Sequence, residues 1–231
     1  MGQRISVIIP AHQEEYQIGE TLESLVTQTY RNFEAVVVAN ACTDRTAENA
    51  RNYKSKMPLT VLETEKGGIG YASNTGFYRA SGNVIVTLDA DTTLSSNALE
   101  EIENVVNQGF IGGTLRMEAK EDRFRYRLLC LLHQLSRGGN WNGMRFCRGD
   151  VYKRIGGYTE DPALEFISDA YFKREVKKLG RTKLVRDASF KTSMRRFERL
   201  GLREFLQQTL GYLSFNVTGK ELVKRKYPAV R

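Results

Sequence analysis

Cysteine and histidine are scarce in this chain of 231 residues, which has three of the first and two of the second. Cys42, Cys130 and Cys147 are odd in number and scattered, which argues against a disulfide framework and against a zinc site. His12 and His133 are too few and too far apart for a metal cluster. Long apolar runs are missing too: nothing approaches the ~18–20 consecutive apolar residues that span a bilayer. The N-terminus enters a strand-like run at once, without the apolar stretch and cleavage site of a secretory signal. No internal repeat or low-complexity tract is present. The expectation is a reduced, intracellular setting: cytoplasmic, or at the cytoplasmic face of a membrane.

What is present suffices for a core. Hydrophobic residues make up 41% and charged residues 27%, which excludes wholesale disorder, and the length suits one large α/β domain. Charge is divided unevenly. Residues 1–115 hold 8 Lys/Arg against 14 Asp/Glu, net −6, and residues 116–231 hold 27 against 13, net +14. A basic half fits nucleic acid, an anionic membrane or a phosphorylated substrate, and composition does not choose among them.

The acidic half alternates strands and helices. "ISVIIP" at 5–10 reads as a strand buried on both faces and ended by Pro10. Ile18, Leu22, Leu25 and Val26 then recur at helical spacing. "EAVVVA" at 34–39 is the next strand, followed by a weaker helix through Ala47, Ala50 and Tyr53. "LTVLE" at 59–63 leads through a glycine-rich loop into a short helix near 71–80, and "NVIVTL" at 83–88 is the fourth strand. Ser95 or Ser96 is placed to cap a helix with Leu99, Ile102, Val105 and Val106 on one stripe. Such alternation predicts a parallel sheet with right-handed crossovers.

Ligands of these sheets bind beyond the carboxyl ends of the strands. There the chain places Asp89-Ala90-Asp91, two carboxylates that repel one another unless a cation lies nearby. A hard divalent ion, also held by phosphate oxygens, meets that need. The loop "KGGIGYASNTG" at 66–76 holds Gly68-x-Gly70, but it follows the third strand and lacks the remainder of a dinucleotide fingerprint. It can still set backbone N–H groups and Asn74 beside a sugar or diphosphate.

Together these segments resemble the inverting family 2 glycosyltransferases. The resemblance runs over "SVIIPAHQEE", "VVVANACTDRT", "GYASNTGFYRASGNVIVTLDADT", "FCRGDVYKRIGGY" (146–158), "SDAYFKREVKKLG" (168–180) and "SMRRFERLG" (193–201), and covers roughly residues 5–215. It implies a GT-A fold, a Rossmann-like mixed sheet flanked by helices. It also implies one domain over 1–219, with a nucleotide-sugar part (1–115), an acceptor-side part (116–219) and a basic tail (220–231). Pro10, Ala11 and Glu14 would line the nucleotide end, with Asn40 and Asp44 near the base or ribose. Asp89 would touch ribose or sugar, and Asp91, with Asp89 beside it, would ligate Mn²⁺ or Mg²⁺ on the diphosphate. Asp169 would be the general base, with Glu165 ranked second, and Arg195 and Arg196 would close over the departing diphosphate. The chain departs from the family pattern at Ala39, where many members have Asp, at Ser168, where Glu is usual, and at Ser73, where Arg is common.

The implied partners are a nucleotide-sugar donor and a hydroxyl or phosphate acceptor, such as a polyprenyl phosphate or membrane-bound glycan, with no nucleic acid. Apolar stripes flanked by bases at 121–136 and 198–217, then Lys220, Lys224, Arg225, Lys226 and Arg231, fit either helices packed on the sheet or contact with an anionic membrane. Trp141, in the glycine-rich segment 137–149, fits either stacking on an acceptor or anchoring of a loop. Two other readings stay open. A sugar-phosphate nucleotidyltransferase wants a glycine- and base-rich loop after the first strand, where "AHQEE" supplies acid. A basic nucleic-acid binder leaves Asp89 and Asp91 without a task.

Overall fold

The computed structural model describes residues 2–124, 126, 127, 130, 131, 143–161, 164 and 167–195. In chain order they form β1 (Ile5–Ala11), α1 (Ile18–Val26), β2 (Phe33–Asn40), α2 (Thr46–Arg51), β3 (Leu59–Thr64), α3 (Ile69–Arg79), β4 (Val84–Leu88), β5 (Thr92–Leu94) and α4 (Ala98–Asn107). Then follow β6 (Gly112–Ala119), β7 (Met144–Arg148), α5 (Gly149–Ile155), α6 (Ser168–Leu179) and β8 (Thr182–Thr192). The strands make one sheet in the order β3-β2-β1-β4-β7-β6-β8-β5. The first four are parallel, as the alternating pattern predicts, and β7 runs antiparallel to both β4 and β6. The sheet is therefore mixed, and β6 carries it across the 115/116 division between the acidic and basic parts.

Helices cover both faces, which is why β1 and β2 read as nearly unbroken apolar runs. Along β1 the side chains alternate: Ile5, Val7 and Ile9 join Leu22, Leu25, Leu99 and Ile102 of α1 and α4 on one face. Ile8 joins Tyr152, Phe172 and Val176 of α5 and α6 on the other. Each such fully buried aliphatic side chain contributes about 1.5–3 kcal/mol. Helix α3 lies against β1 and β2, close enough that a Cβ at Gly76 would overlap Ile8 Cγ2.

Two expectations need correction. Pro10 does not end the first strand. The β1–β4 ladder stops at Ile8↔Thr87 while the β1–β2 ladder continues to Ala11↔Ala39, so Pro10 sits where one side of the strand has no neighbour to receive an N–H. Neither serine caps α4. Its N-cap is Asn97, without a side-chain cap bond; Ser95 Oγ instead donates to Asn97 Oδ1 and accepts from Ser189 N, tying α4 to β8. The described end of the glycine-rich segment 137–149 forms β7, where Met144, Phe146 and Cys147 are buried at the centre of the sheet. Gly143 makes the entry: its φ is +80°, and a Cβ there would lie 2.9 Å from Phe190 Cε2.

Among the described residues no helix is long and apolar enough to cross a membrane. Trp141, His133, Glu165, Arg196, the 198–217 stretch and the 220–231 tail with Lys220, Lys224, Arg225, Lys226 and Arg231 lie outside the described residues.

Candidate active site

The carboxyl ends of β1, β2 and β4 are adjacent, so the segments after them share one mouth. After β1 and β2 the backbone turns sharply, with Gln13 at φ +56° and Ala41 at φ +49°. Left-handed conformations at residues other than glycine cost of order 1–3 kcal/mol and persist only where surroundings enforce them. Here the two turns enforce each other. Gln13 Oε1 accepts from Thr43 N (2.9 Å) and Asp44 N (3.2 Å), Gln13 Nε2 donates to Thr43 Oγ1 (2.7 Å), and His12 Nδ1 donates to Asn40 O (2.7 Å).

The residues carried over for the nucleotide fall into two groups. Pro10 and Ala11 are strand residues of β1, buried at its carboxyl end. Asn40 and Asp44 hold the mouth's rim together. Asn40 Nδ2 donates to Gly68 O at 3.2 Å, fixing the glycine loop to β2. Asp44 accepts from Thr46 N and Oγ1 through one oxygen and from Glu15 N through the other. Burial raises the Asp44 pKa, but these hydrogen bonds outweigh it and the net shift is downward.

Asn74 requires a correction. Its Nδ2 donates to Tyr158 O (3.0 Å) and Glu160 Oε1 (3.1 Å), while Oδ1 accepts from Tyr158 N (2.9 Å) and Tyr152 Oη (3.0 Å). Protein groups take its whole hydrogen-bonding capacity, so it clamps α3 to the 152–160 segment and does not face a sugar or diphosphate. Ser73, beside it, is fully buried on α3.

The acidic residues gather around two arginines. At the mouth, Arg195 Nη2 donates to Glu14 Oε1 (3.1 Å), Glu14 Oε2 (2.9 Å) and Asp91 Oδ2 (3.2 Å). Beneath, Arg145 Nη2 lies 3.1 Å from Asp169 Oδ1 and 3.6 Å from Asp89 Oδ1. The Asp89–Asp91 turn is held by Asp89 N donating to Gly143 O (2.9 Å) and Thr21 Oγ1 donating to Ala90 O (2.7 Å). Asp169, in the first turn of α6, thus comes to the floor under the D-x-D turn, brought there by an element 78 positions later in the chain.

Burial raises the Asp91 pKa, with the negative charge of Asp89 adding to it and Arg195 opposing. Burial likewise raises Glu14, which Arg195 pulls back only in part. Among the described residues no three His, Cys, Asp or Glu side chains converge on a metal position. A cation bound here would take one or two protein carboxylates and draw its other oxygens from a ligand, the arrangement usual for ions bound through phosphates. Glu14, Asp89, Asp91 and Asp169 against Arg145 and Arg195 leave two negative charges at the mouth, which one divalent ion balances.

Sequence reading missed Arg145. Its signal was the inner of two charges in "MRFCR", flanked by Met144 and Phe146, since Arg is almost never fully buried unless paired.

The model of Glycosyl transferase family 2 matches residues 6–198. Among curated proteins the chain is similar to glycosyltransferase GlyA of Streptococcus pneumoniae, 35% identical over 43% of this chain and 14% of that one. Among solved structures it is similar to the mannosyltransferase PcManGT from Pyrobaculum calidifontis in complex with GDP-Man and Mn²⁺. That likeness has a TM-score of 0.73 at 20% identity, over 99% of this chain and 67% of that one. It also resembles Staphylococcus aureus TarS in complex with UDP-GlcNAc, with a TM-score of 0.68 at 18% identity, over 96% and 68% of the two chains. The chain spans less than half the length of the curated relatives it matches. With the family pattern over most of its length and this sheet beneath it, the chain belongs to glycosyl transferase family 2 and has the GT-A fold.

Proposed function

We propose that this chain moves a sugar from a nucleoside-diphosphate sugar to a hydroxyl or phosphate acceptor, with inversion and with the help of Mn²⁺ or Mg²⁺. The observation that carries the reading is the meeting of the D-x-D turn with Asp169 at one mouth, Asp89 and Asp169 both pairing with Arg145. Displacement at an anomeric carbon makes two demands. The acceptor must lose a proton as it attacks, and the diphosphate must leave with added negative charge. Asp169 takes the proton, a contribution typically worth ~10²–10⁴ in rate. Arg195, whose guanidinium reaches the mouth carboxylates, exchanges them for phosphate oxygens, which match its fork. Asp91 and Asp89 hold the divalent ion, which when bound stabilises the leaving charge without a proton. Glu14 keeps Arg195 at the mouth until a phosphate replaces it.

PcManGT in complex with GDP-Man and Mn²⁺ and TarS in complex with UDP-GlcNAc support a nucleotide-sugar donor and a divalent ion. A dolichol-phosphate mannosyltransferase of Pyrococcus furiosus and the poly(ribitol-phosphate) N-acetylglucosaminyltransferase TarS support a phosphate-bearing or lipid-linked acceptor. Membership of the family sets aside the nucleotidyltransferase and nucleic-acid readings. A cytoplasmic-face setting with peripheral membrane contact belongs to the same proposal, supported by exposed Phe124 and Leu131 beside Arg123 and Arg127. Sedimentation with anionic but not neutral vesicles checks that part.

The test of the whole reading is a thermal-shift panel of nucleoside diphosphates and nucleotide sugars with and without Mn²⁺. A ligand at 100 times its Kd adds ~2.7 kcal/mol, which at ~2–4 °C per kcal/mol raises Tm by about 5–10 °C. A panel without any Mn²⁺-dependent shift refutes the reading.

A further inference from the structure

Arg145 is the largest fully buried side chain among the described residues, 1% exposed, on the central strand β7. A charge there loses its hydration, and for stability alone a well-packed apolar set in place of the whole ion-paired group commonly serves as well or better. What an apolar residue cannot do is hold two carboxylates at a set distance. One nitrogen, Nη2, reaches Asp89 from the end of β4 and Asp169 from the first turn of α6. Its pairing Thr87↔Arg145 places it just below the D-x-D turn.

The guanidinium is itself fixed. Arg145 Nε donates to Tyr158 Oη, and the guanidinium carbon lies 5.3 Å from the centroid of the same ring. That ring stacks on Phe172 of α6 with centroids 4.3 Å apart and planes 6° apart. Tyr158 N donates to Asn74 Oδ1, and Tyr158 O accepts from Asn74 Nδ2. A chain of contacts therefore runs from α3 through the 158 segment to the floor of the mouth.

We propose that Arg145 is a positioning residue of the transfer reaction, setting the place of the Asp169 carboxylate relative to Asp89, with Tyr158 and Asn74 setting Arg145 in turn. The inference rests on Asp169 as the base. Asp169 lies in the first turn of α6, and its position relative to Asp89 is tied to the sheet through β7. Arg145 supplies that tie. A displacement of about 1 Å at a reacting group costs up to ~10²-fold in rate.

The experiment uses the full chain and Mn²⁺-dependent hydrolysis of a nucleotide-sugar panel including UDP-GlcNAc and GDP-Man, water serving as acceptor. Calorimetry of UDP and GDP with Mn²⁺ reports donor-site integrity. Arg145→Lys keeps the charge but not the fork, and Tyr158→Phe keeps the stacked ring but not the hydroxyl, so the second folds even if the first does not. Expected are losses in kcat of about 10²-fold and about tenfold, with nucleotide Kd and KM within about twofold of the parent. In an Asp169→Asn background, Tyr158→Phe has no further effect, because both act on one group. Unchanged kcat in Tyr158→Phe, a parallel loss of nucleotide binding, or an additive effect in Asp169→Asn overturns the inference. Full activity of Asp169→Asn, or no hydrolysis by the parent chain, instead refutes the base assignment or the function reading beneath it.

Discussion

The two arginine bridges have the same composition, one guanidinium between two half-buried carboxylates, and differ in how deeply the guanidinium lies. Arg145 is 1% exposed in the sheet, whereas the Arg195 side chain is 42% exposed at the mouth. In the interior, charges interact strongly and breaking one partner leaves the others uncompensated, which typically costs ~3–5 kcal/mol. At a surface the same pair is screened and contributes ~0–1 kcal/mol. Under the proposed function burial separates two tasks: the deep bridge would hold still what must not move, and the shallow one would release its carboxylates when a better anion arrives.

Arg145→Met breaks the deep bridge and carries the largest stability effect, a loss of ~3–5 kcal/mol read as a Tm lowered by about 6–20 °C. Arg195→Met sharpens the contrast. It changes Tm by no more than a few degrees, yet lowers nucleotide-sugar turnover by about 10²-fold through lost stabilisation of the leaving charge. Equal Tm losses in the two variants would erase the distinction. Salt separates them further, since 0.5 M NaCl weakens exposed pairs and leaves buried ones nearly unchanged.

The smallest effect is in pH. Glu14 and Asp91 have pKa values raised above 4.5 and 3.8, chiefly by burial. The deprotonated form holds a cation, so Mn²⁺-dependent nucleotide binding is complete above the raised values and falls as pH drops through them, earlier than ordinary carboxylates would allow. Arg195 lowers Asp91, so Arg195→Met moves the midpoint to higher pH. A calorimetric profile with no loss until below pH 3.8 contradicts this.

The acidic half was legible because strands buried on both faces, such as Val36–Ala39, leave unbroken apolar runs. The end of the sheet beyond β4 was not. In β7 a charge interrupts the run, and only its half-buried carboxylate partners, 56 positions upstream and 24 downstream, make it tolerable. In β8 the buried residues Val185, Ala188 and Phe190 break the two-residue period, because a register shift separates Leu115↔Val185 from Arg116↔Ser189. At the site, Asp89 and Asp91 were visible as a charge conflict in sequence. Asn74 was misread because a buried amide satisfied by neighbouring backbone and side-chain groups looks, in sequence, the same as one awaiting a ligand. That Asp169 meets Asp89 could come only from family resemblance, since no local pattern spans that separation.

The central claim is that the mouth carboxylates serve a divalent ion on a nucleotide sugar, and Asp91→Asn tests it most directly, as a substitution of nearly the same shape without the charge. Calorimetry of UDP and GDP, with and without Mn²⁺, should show tight binding by the parent chain only with the metal, and no metal dependence in Asp91→Asn. The same Mn²⁺ enhancement in parent and variant would contradict the account.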